Sequence, residues 1–305
     1  MKSDIMKGYL FALVATVAYS HVYIFSKVAL NELPLEQFGS LWYIVVTILC
    51  LLLAAKNKKL GQIKELTKKQ VQILVTLGLL EIATTTLFFL SIHIIPDPSV
   101  TSFLGNMYPV MVMLGGIFIL SERFGPVEIF GGFLALAGAF VISYSGGTSL
   151  QTLFIEGTGV VFLNAIFAST ATLVVKVHVK KLSPELLNLN RAVWLLLFSL
   201  IMFFILNKPL VVSPKAIANL LIGASLEFVA ILTIYYSFKY IEASRSSIVQ
   251  SMKGVVVLLS AYLFFGTFPL PHQLAGGIIT IAGVLLMALA QTGFFSKRKH
   301  KKEAA

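Results

Sequence analysis

Residues 71–94 read VQILVTLGLLEIATTTLFFLSIHI, and Glu81 is the single Asp, Glu, Lys or Arg among them. A helix of that length extends about 36 Å at 1.5 Å per residue. The hydrocarbon core of a bilayer is roughly 30 Å thick. The run is continuous and shows no period-two alternation, so it is a helix rather than a strand. A helix also satisfies its own backbone polar groups, which a bilayer cannot do.

Nine further apolar runs of this kind flank it. Together the ten cover approximately 8–30, 38–55, 71–94, 99–120, 127–144, 158–178, 186–206, 216–238, 246–265 and 272–293. The whole composition agrees: 57% of the 305 residues are hydrophobic and 12% are charged. A typical soluble chain has about 25% charged residues. Mean hydropathy is +0.90. A soluble globule of this length buries about three quarters of its extended surface and needs polar residues for the rest. The expected fold class is therefore an all-α integral membrane protein with ten transmembrane helices, lying in the bilayer as a multi-pass chain.

Basic residues fix the expected orientation. With the N-terminus in the cytoplasm, 18 of the 24 Lys and Arg fall on the cytoplasmic side, and Lys208 and Lys215 alone fall on the other. This is the positive-inside pattern, and it puts both termini inside. The net charge of +11 is thereby a topology signal. No nucleic-acid partner is expected, because the basic residues sit in short blocks between apolar runs. Lys2 and Lys7 precede the first run as in a signal peptide. The run is long for one and is expected to stay in the protein. Cys50 is the sole cysteine, so no intrachain disulfide is expected, and no pattern suggests a metal or another cofactor.

The chain repeats itself. Residues 98–140 match 243–285 at an offset of 145, pairing Ser102 with Ser247, Met107 with Met252, Pro126 with Pro271, and Gly131-Gly132 with Gly276-Gly277. Upstream the offset becomes 146, pairing Leu80-Glu81 with Leu226-Glu227 and Ile95 with Ile241. Near the start it is about 149, pairing Gly8 with Gly157 and Lys27 with Lys176. A unit of five spans is odd, so its second copy enters the membrane from the opposite side. Inverted repeats of this kind underlie alternating access in many secondary transporters. The expected division is 1–146 and 147–296 for the two five-helix repeats, with 297–305 as a basic cytoplasmic tail.

With these features the chain resembles the EamA family of the drug/metabolite transporter superfamily over nearly its whole length. The first half carries the family's pattern in Ser99, Ser102, Pro109, Glu122-Arg123, Gly131-Gly132 and Gly138. The second half departs from it, with Gly254 in place of Pro and Thr267 in place of Glu. The family's basic residue early in the second span of a half is matched by Arg191, while Leu41 stands near the first-half position. The resemblance implies a non-enzymatic secondary transporter of the bacterial inner membrane, carrying small organic metabolites. Substrates vary widely in such families.

The residues themselves point to the membrane centre. Glu81 lies about ten residues, or roughly 15 Å, into its span. Glu227 has Lys215 twelve residues before it and Lys239 twelve after it. An ionised carboxylate at midplane costs at least about 2.5–3.5 kcal/mol on insertion scales. Each acid is therefore either a substrate or proton site or half of a structural ion pair. Lys253 lies about 12 Å into the ninth run. It either binds a substrate carboxylate or phosphate, or neutralises one of the acids. Arg191, shallower beside Asn188 and Asn190, suits substrate contact or interface anchoring equally. Lys27 and Lys176, near span ends, are expected to snorkel to headgroups.

Asn106 and Gln250 belong to polar stripes with Ser99, Ser102, Ser247 and Ser251, which line a cavity or join helices. Pro109 is expected to kink its helix. Tyr19, Tyr23, Trp42, Tyr43, Phe88, Tyr108 and Tyr235 are expected near the cavity. The Gly131/Gly138 and Gly276/Gly283 faces suit close helix packing; a monomer is expected, and a homodimer through these faces stays open. No Walker A, Gly-x-Ser-x-Gly or His-Glu-x-x-His pattern occurs. The leading expectation is a proton-coupled transporter of amino acids or related charged solutes. A multidrug exporter is the first alternative, favoured if Lys253 faces away from the cavity. A lipid-modifying membrane enzyme is the second, and would need its polar groups at one interface.

Overall fold

The structure is a computed structural model, and residues 2–120, 125–144, 154–207 and 213–291 are described. Twelve α-helices and one 3-10 helix, Leu60–Glu65, occur among them, with no strand. The helices are α1 (Lys2–Leu30), α2 (Leu35–Lys56), α3 (Lys68–Ile94), α4 (Pro98–Leu104), α5 (Met107–Leu120) and α6 (Pro126–Ser143). They continue as α7 (Thr158–His178), α8 (Pro184–Leu206), α9 (Pro214–Tyr240), α10 (Ala243–Ser251), α11 (Lys253–Phe265) and α12 (Pro271–Gln291). Among the described residues nine segments are long and apolar enough to cross a membrane, and Pro271–Met287 is a shorter apolar helix. Glu122-Arg123, Lys208 and the tail at 297–305 lie outside the described residues.

Helix starts follow from local chemistry. Thr67 caps α3 in a reciprocal box with Gln70. Ser183 and Ser213 cap α8 and α9, each followed by a proline at the first helical position. Large apolar side chains such as Phe118, Phe133 and Phe204 point outward, as a lipid-facing surface requires.

Two apolar runs are broken. The fourth run is split at Gly105-Asn106 into α4 and α5, and the ninth at Met252 into α10 and α11. Pro109 does not kink a continuous helix. It sits in the first turn of α5, where its missing N–H costs little. The second copy breaks near the equivalent point although Gly254 replaces the proline, so proline is not the common cause.

The packing pairs one half with the other. α1 lies along α9, and its counterpart α7 lies along α3; α2 packs on α8, and α6 on α12. The α6–α12 contact is reciprocal. A Cβ at Gly138 would lie 2.6 Å from the Gly276 carbonyl oxygen, and one at Gly276 would lie 2.7 Å from that of Gly138. Gly131 and Gly283 repeat the arrangement, at 2.7 and 2.6 Å. The small-residue faces are thus engaged within the chain.

Candidate functional site

Four elements converge on Arg191. The side chain projects from α8 and is 3% exposed. Its Nε donates to Glu81 Oε2 of α3 at 2.9 Å, and its Nη2 meets Glu227 Oε1 of α9 at 2.7 Å. Nη2 also donates to Thr85 Oγ1 at 3.0 Å. The two acids therefore share one guanidinium, whose fork suits two carboxylates at once. Tyr235 donates to Glu81 Oε1 at 3.2 Å, and Tyr43 donates to Glu227 Oε1 at 3.1 Å. Trp42 Nε1 donates to Glu227 Oε2. Of the two readings open for Lys253, neutralisation of an acid falls instead to Arg191, which pairs with both.

A cavity of about 100 Å³ adjoins the cluster. Its wall holds Glu81, Arg191, Lys253, Gln250, Tyr19, Phe88, Tyr108 and Tyr235, eight of the ten residues anticipated from sequence. Lys253 Nζ stands 4.8 Å from the ring centre of Tyr19 and 6.0 Å from that of Tyr108. It makes no ion pair or hydrogen bond with the described residues. Glu227 is 1% exposed and reaches the cavity only through Arg191. Asn106 is buried and lies off the wall, beside Gly254, with its Nδ2 unpartnered. The polar stripes divide their roles: Ser99 donates to Asp97 at the start of α4, Ser246 pairs with Ser237 at 2.6 Å, and Gln250 lines the cavity.

A second cavity, of about 140 Å³, lies between α2, α3 and α8. Tyr43 and Thr85 line it, and both hydrogen-bond into the ionic cluster. The cluster is thus bordered by a polar cavity and by a largely apolar one.

The EamA-like transporter family matches this sequence twice, over residues 6–144 and 156–289. The chain belongs to the EamA-like transporter family. One crystal structure, described only as that of a protein, is similar with a TM-score of 0.67. It is 15% identical, and the match covers 93% of this chain and 96% of that one, so it speaks for the fold alone. No curated protein matches.

In this EamA-like chain two lysines require correction. Lys27 is 7% exposed, and its Nζ donates to the carbonyls of Ile92, His93 and Ile95. Lys176 Nζ donates to the carbonyls of Phe238 and Ile241. Neither snorkels. Each caps the C-terminus of a neighbouring long helix, where cations complement the helix dipole. The capped residues Ile95 and Ile241 are themselves a repeat pair. Gly157 packs against Ile95 as Gly8 packs against Ile241.

Sequence reading placed Trp42 and Tyr43 near the cavity without their bonds to Glu227, and it left Thr85 off the site. The signal for Trp42 was present: it stands 149 positions before Arg191, the offset that pairs Lys27 with Lys176. The first half thus presents an indole N–H to Glu227 where the second presents a guanidinium.

Proposed function

We propose that this EamA-like transporter is a proton-coupled secondary carrier of small charged organic solutes, such as amino acids and related metabolites. The observation that carries the reading is the arrangement at one cavity: Glu81, Arg191 and Lys253 on its wall, with Glu227 paired to Arg191 behind it. Glu81, Glu227, Lys253 and Arg191 bind substrate or proton. Gln250, Tyr19, Phe88, Tyr108 and Tyr235 shape the pocket, while Asn106 packs beside Gly254 off its wall. The orientation of Lys253 into the cavity speaks against the multidrug alternative. The central placement of the ionisable groups speaks against an interfacial lipid-modifying enzyme.

Ten spans in two inverted repeats, 1–146 and 147–296, support alternating access. The 21 residues of α12 give about 32 Å, enough for the tenth span. Both termini face the cytoplasm of a bacterial inner membrane, and the protein works as a monomer with a small solute and a proton as its partners. The cluster is the barrier between the two cavities, and rocking of one half against the other transfers access between them.

The test is counterflow in proteoliposomes, using amino acids and metabolites first selected by thermal shift. Glu81→Gln and Glu227→Gln are expected to abolish pH-dependent exchange. Unchanged pH dependence in both variants would refute proton coupling through these acids.

A further inference from the structure

The charges in the cavity balance, but their hydrogen-bonding capacity does not. Every oxygen of Glu81 and Glu227 already accepts a bond, from Arg191, Tyr235, Tyr43 or Trp42. The donors are not all engaged. Arg191 Nη1 is buried without a partner, and Lys253 Nζ faces only aromatic rings. The Thr84 hydroxyl on the same wall is also unpartnered. A guanidinium carries five N–H donors and an ammonium three, and neither accepts. A solute entering this cavity meets the Lys253 ammonium, with unpartnered Arg191 Nη1 just beneath the wall, while each Glu81 oxygen already has a donor.

We infer that the cavity takes a small organic carboxylate, held as a monoanion by Lys253 and Arg191 Nη1, and that Glu81 gains one proton as it enters. This rests on the transport reading above and names its substrate class. Two cations and two carboxylates sum to zero. A bound monoanion would leave the site at minus one in a low-dielectric interior, where uncompensated charge is costly. One proton restores neutrality. Glu81 is the carboxylate on the cavity wall, whereas Glu227 lies behind Arg191.

The groups facing Glu81 are Arg191 from α8, Tyr235 from α9, Tyr108 from α5 and Tyr19 from α1, with Glu227 of α9 joined to the same guanidinium behind Arg191. Lys253 of α11 completes the wall, and α7 adds no charged side chain to it. In the binding step the solute carboxylate accepts from Arg191 and Lys253. Glu81 Oε2 gives up its bond from Arg191 Nε and takes a proton from the aqueous side. Solute and proton then leave together, so they move in the same direction. A dianion would need a second proton and has no second carboxylate on the wall.

The experiment uses the purified full chain in detergent and measures melting temperature and binding. The probes are 2-hydroxy- and 2-oxo-carboxylates of three to nine carbons, their amides, amines of matched length, inorganic phosphate and methanesulfonate. At least one carboxylate is expected to stabilise, while its amide and amine do not. Its affinity should rise up to tenfold per unit fall in pH between 8 and 6. Glu81→Gln should flatten that slope. Lys253→Met should weaken binding tenfold or more, with Lys253→Arg retaining it. Should Lys253→Met fail to fold, the wild-type panel decides alone.

Stabilisation by amines or amides to the same degree overturns the inference, as does binding confined to phosphate or sulfonate. So does a panel with no binder, or an unchanged pH slope in Glu81→Gln. In proteoliposomes, uptake of the bound carboxylate should follow an inward proton gradient and ignore a potassium–valinomycin potential; a rate that follows the potential overturns one-proton coupling. Carboxylate binding without flux defeats the transport reading and leaves the site assignment standing. Flux of amines does the reverse.

Discussion

A guanidinium shared by two buried carboxylates leaves uncompensated charge when it is removed. Arg191→Leu should therefore destabilise the protein by about 3–5 kcal/mol, the usual cost of breaking a buried pair. Adding Glu81→Gln and Glu227→Gln to that variant should recover part of the loss, because the orphaned charges go with them. Thermal unfolding of the series checks this, and additive losses would show that the three groups are not coupled. Lys27→Met and Lys176→Met should each cost about 1–3 kcal/mol, since buried carbonyls lose their donor. A lysine that only reached headgroups would cost almost nothing. The two acids were legible in sequence because a carboxylate inside an apolar run has no bland surroundings. The lysines were misread because position in a run gives depth, whereas a partner carbonyl on another helix is a tertiary fact. Trp42 and Tyr43 were legible as aromatic residues near the cavity, while their bonds to Glu227 were hidden by abundance: the chain holds 24 Phe, 10 Tyr and 2 Trp, and aromatic residues are ordinary lipid-protein packing.

At the scale of helices, hydropathy located every run but could not locate the breaks within two of them. A window average passes over Gly105-Asn106 and over Met252, where Met252 N–H turns back to the Val249 carbonyl at 3.2 Å. The glycine faces were legible as close-packing surfaces, while their partner was not. The α6–α12 contact settles it by geometry. At Gly138 an added Cβ meets the backbone nitrogen of Thr280 at 2.6 Å as well as the Gly276 carbonyl. Backbone cannot yield as a flexible side chain does. Gly138→Val and Gly283→Val should each lower stability by about 1–3 kcal/mol or more through overpacking. The melting temperature should fall while the elution volume in detergent stays that of the wild type. A changed oligomeric state with unchanged stability would move this face to an interface between molecules.

On the scale of the whole molecule, the same side-chain types recur at matched places while their surroundings differ. Gly8 meets Ile241 and Tyr240 on α9; Gly157, the repeat partner, meets Ile95 and Ile94 beside α3. Cavity walls are drawn from both pairs, with Glu81, Thr84, Asn164 and Thr172 from α3 and α7 and Tyr19 and Tyr235 from α1 and α9, which lie along each other. Two near-equivalent helix pairs that share one cavity suit a molecule with two arrangements of similar energy. Transport by rocking then requires the α1–α9 contact to change. A Cβ on Gly8 would lie 3.0 Å from the Tyr240 Cβ, so a small backbone adjustment brings the pair to disulfide range of roughly 3.5–4.5 Å. In a Cys50→Ala background, Gly8→Cys with Tyr240→Cys should cross-link on oxidation and stop counterflow, and reduction should restore it. Since Cys50 is the only native cysteine, each single variant serves as its own uncross-linked control. Counterflow that persists at full cross-linking would mean that the halves exchange access without parting α1 from α9, and the moving contact would then have to lie between α3 and α7.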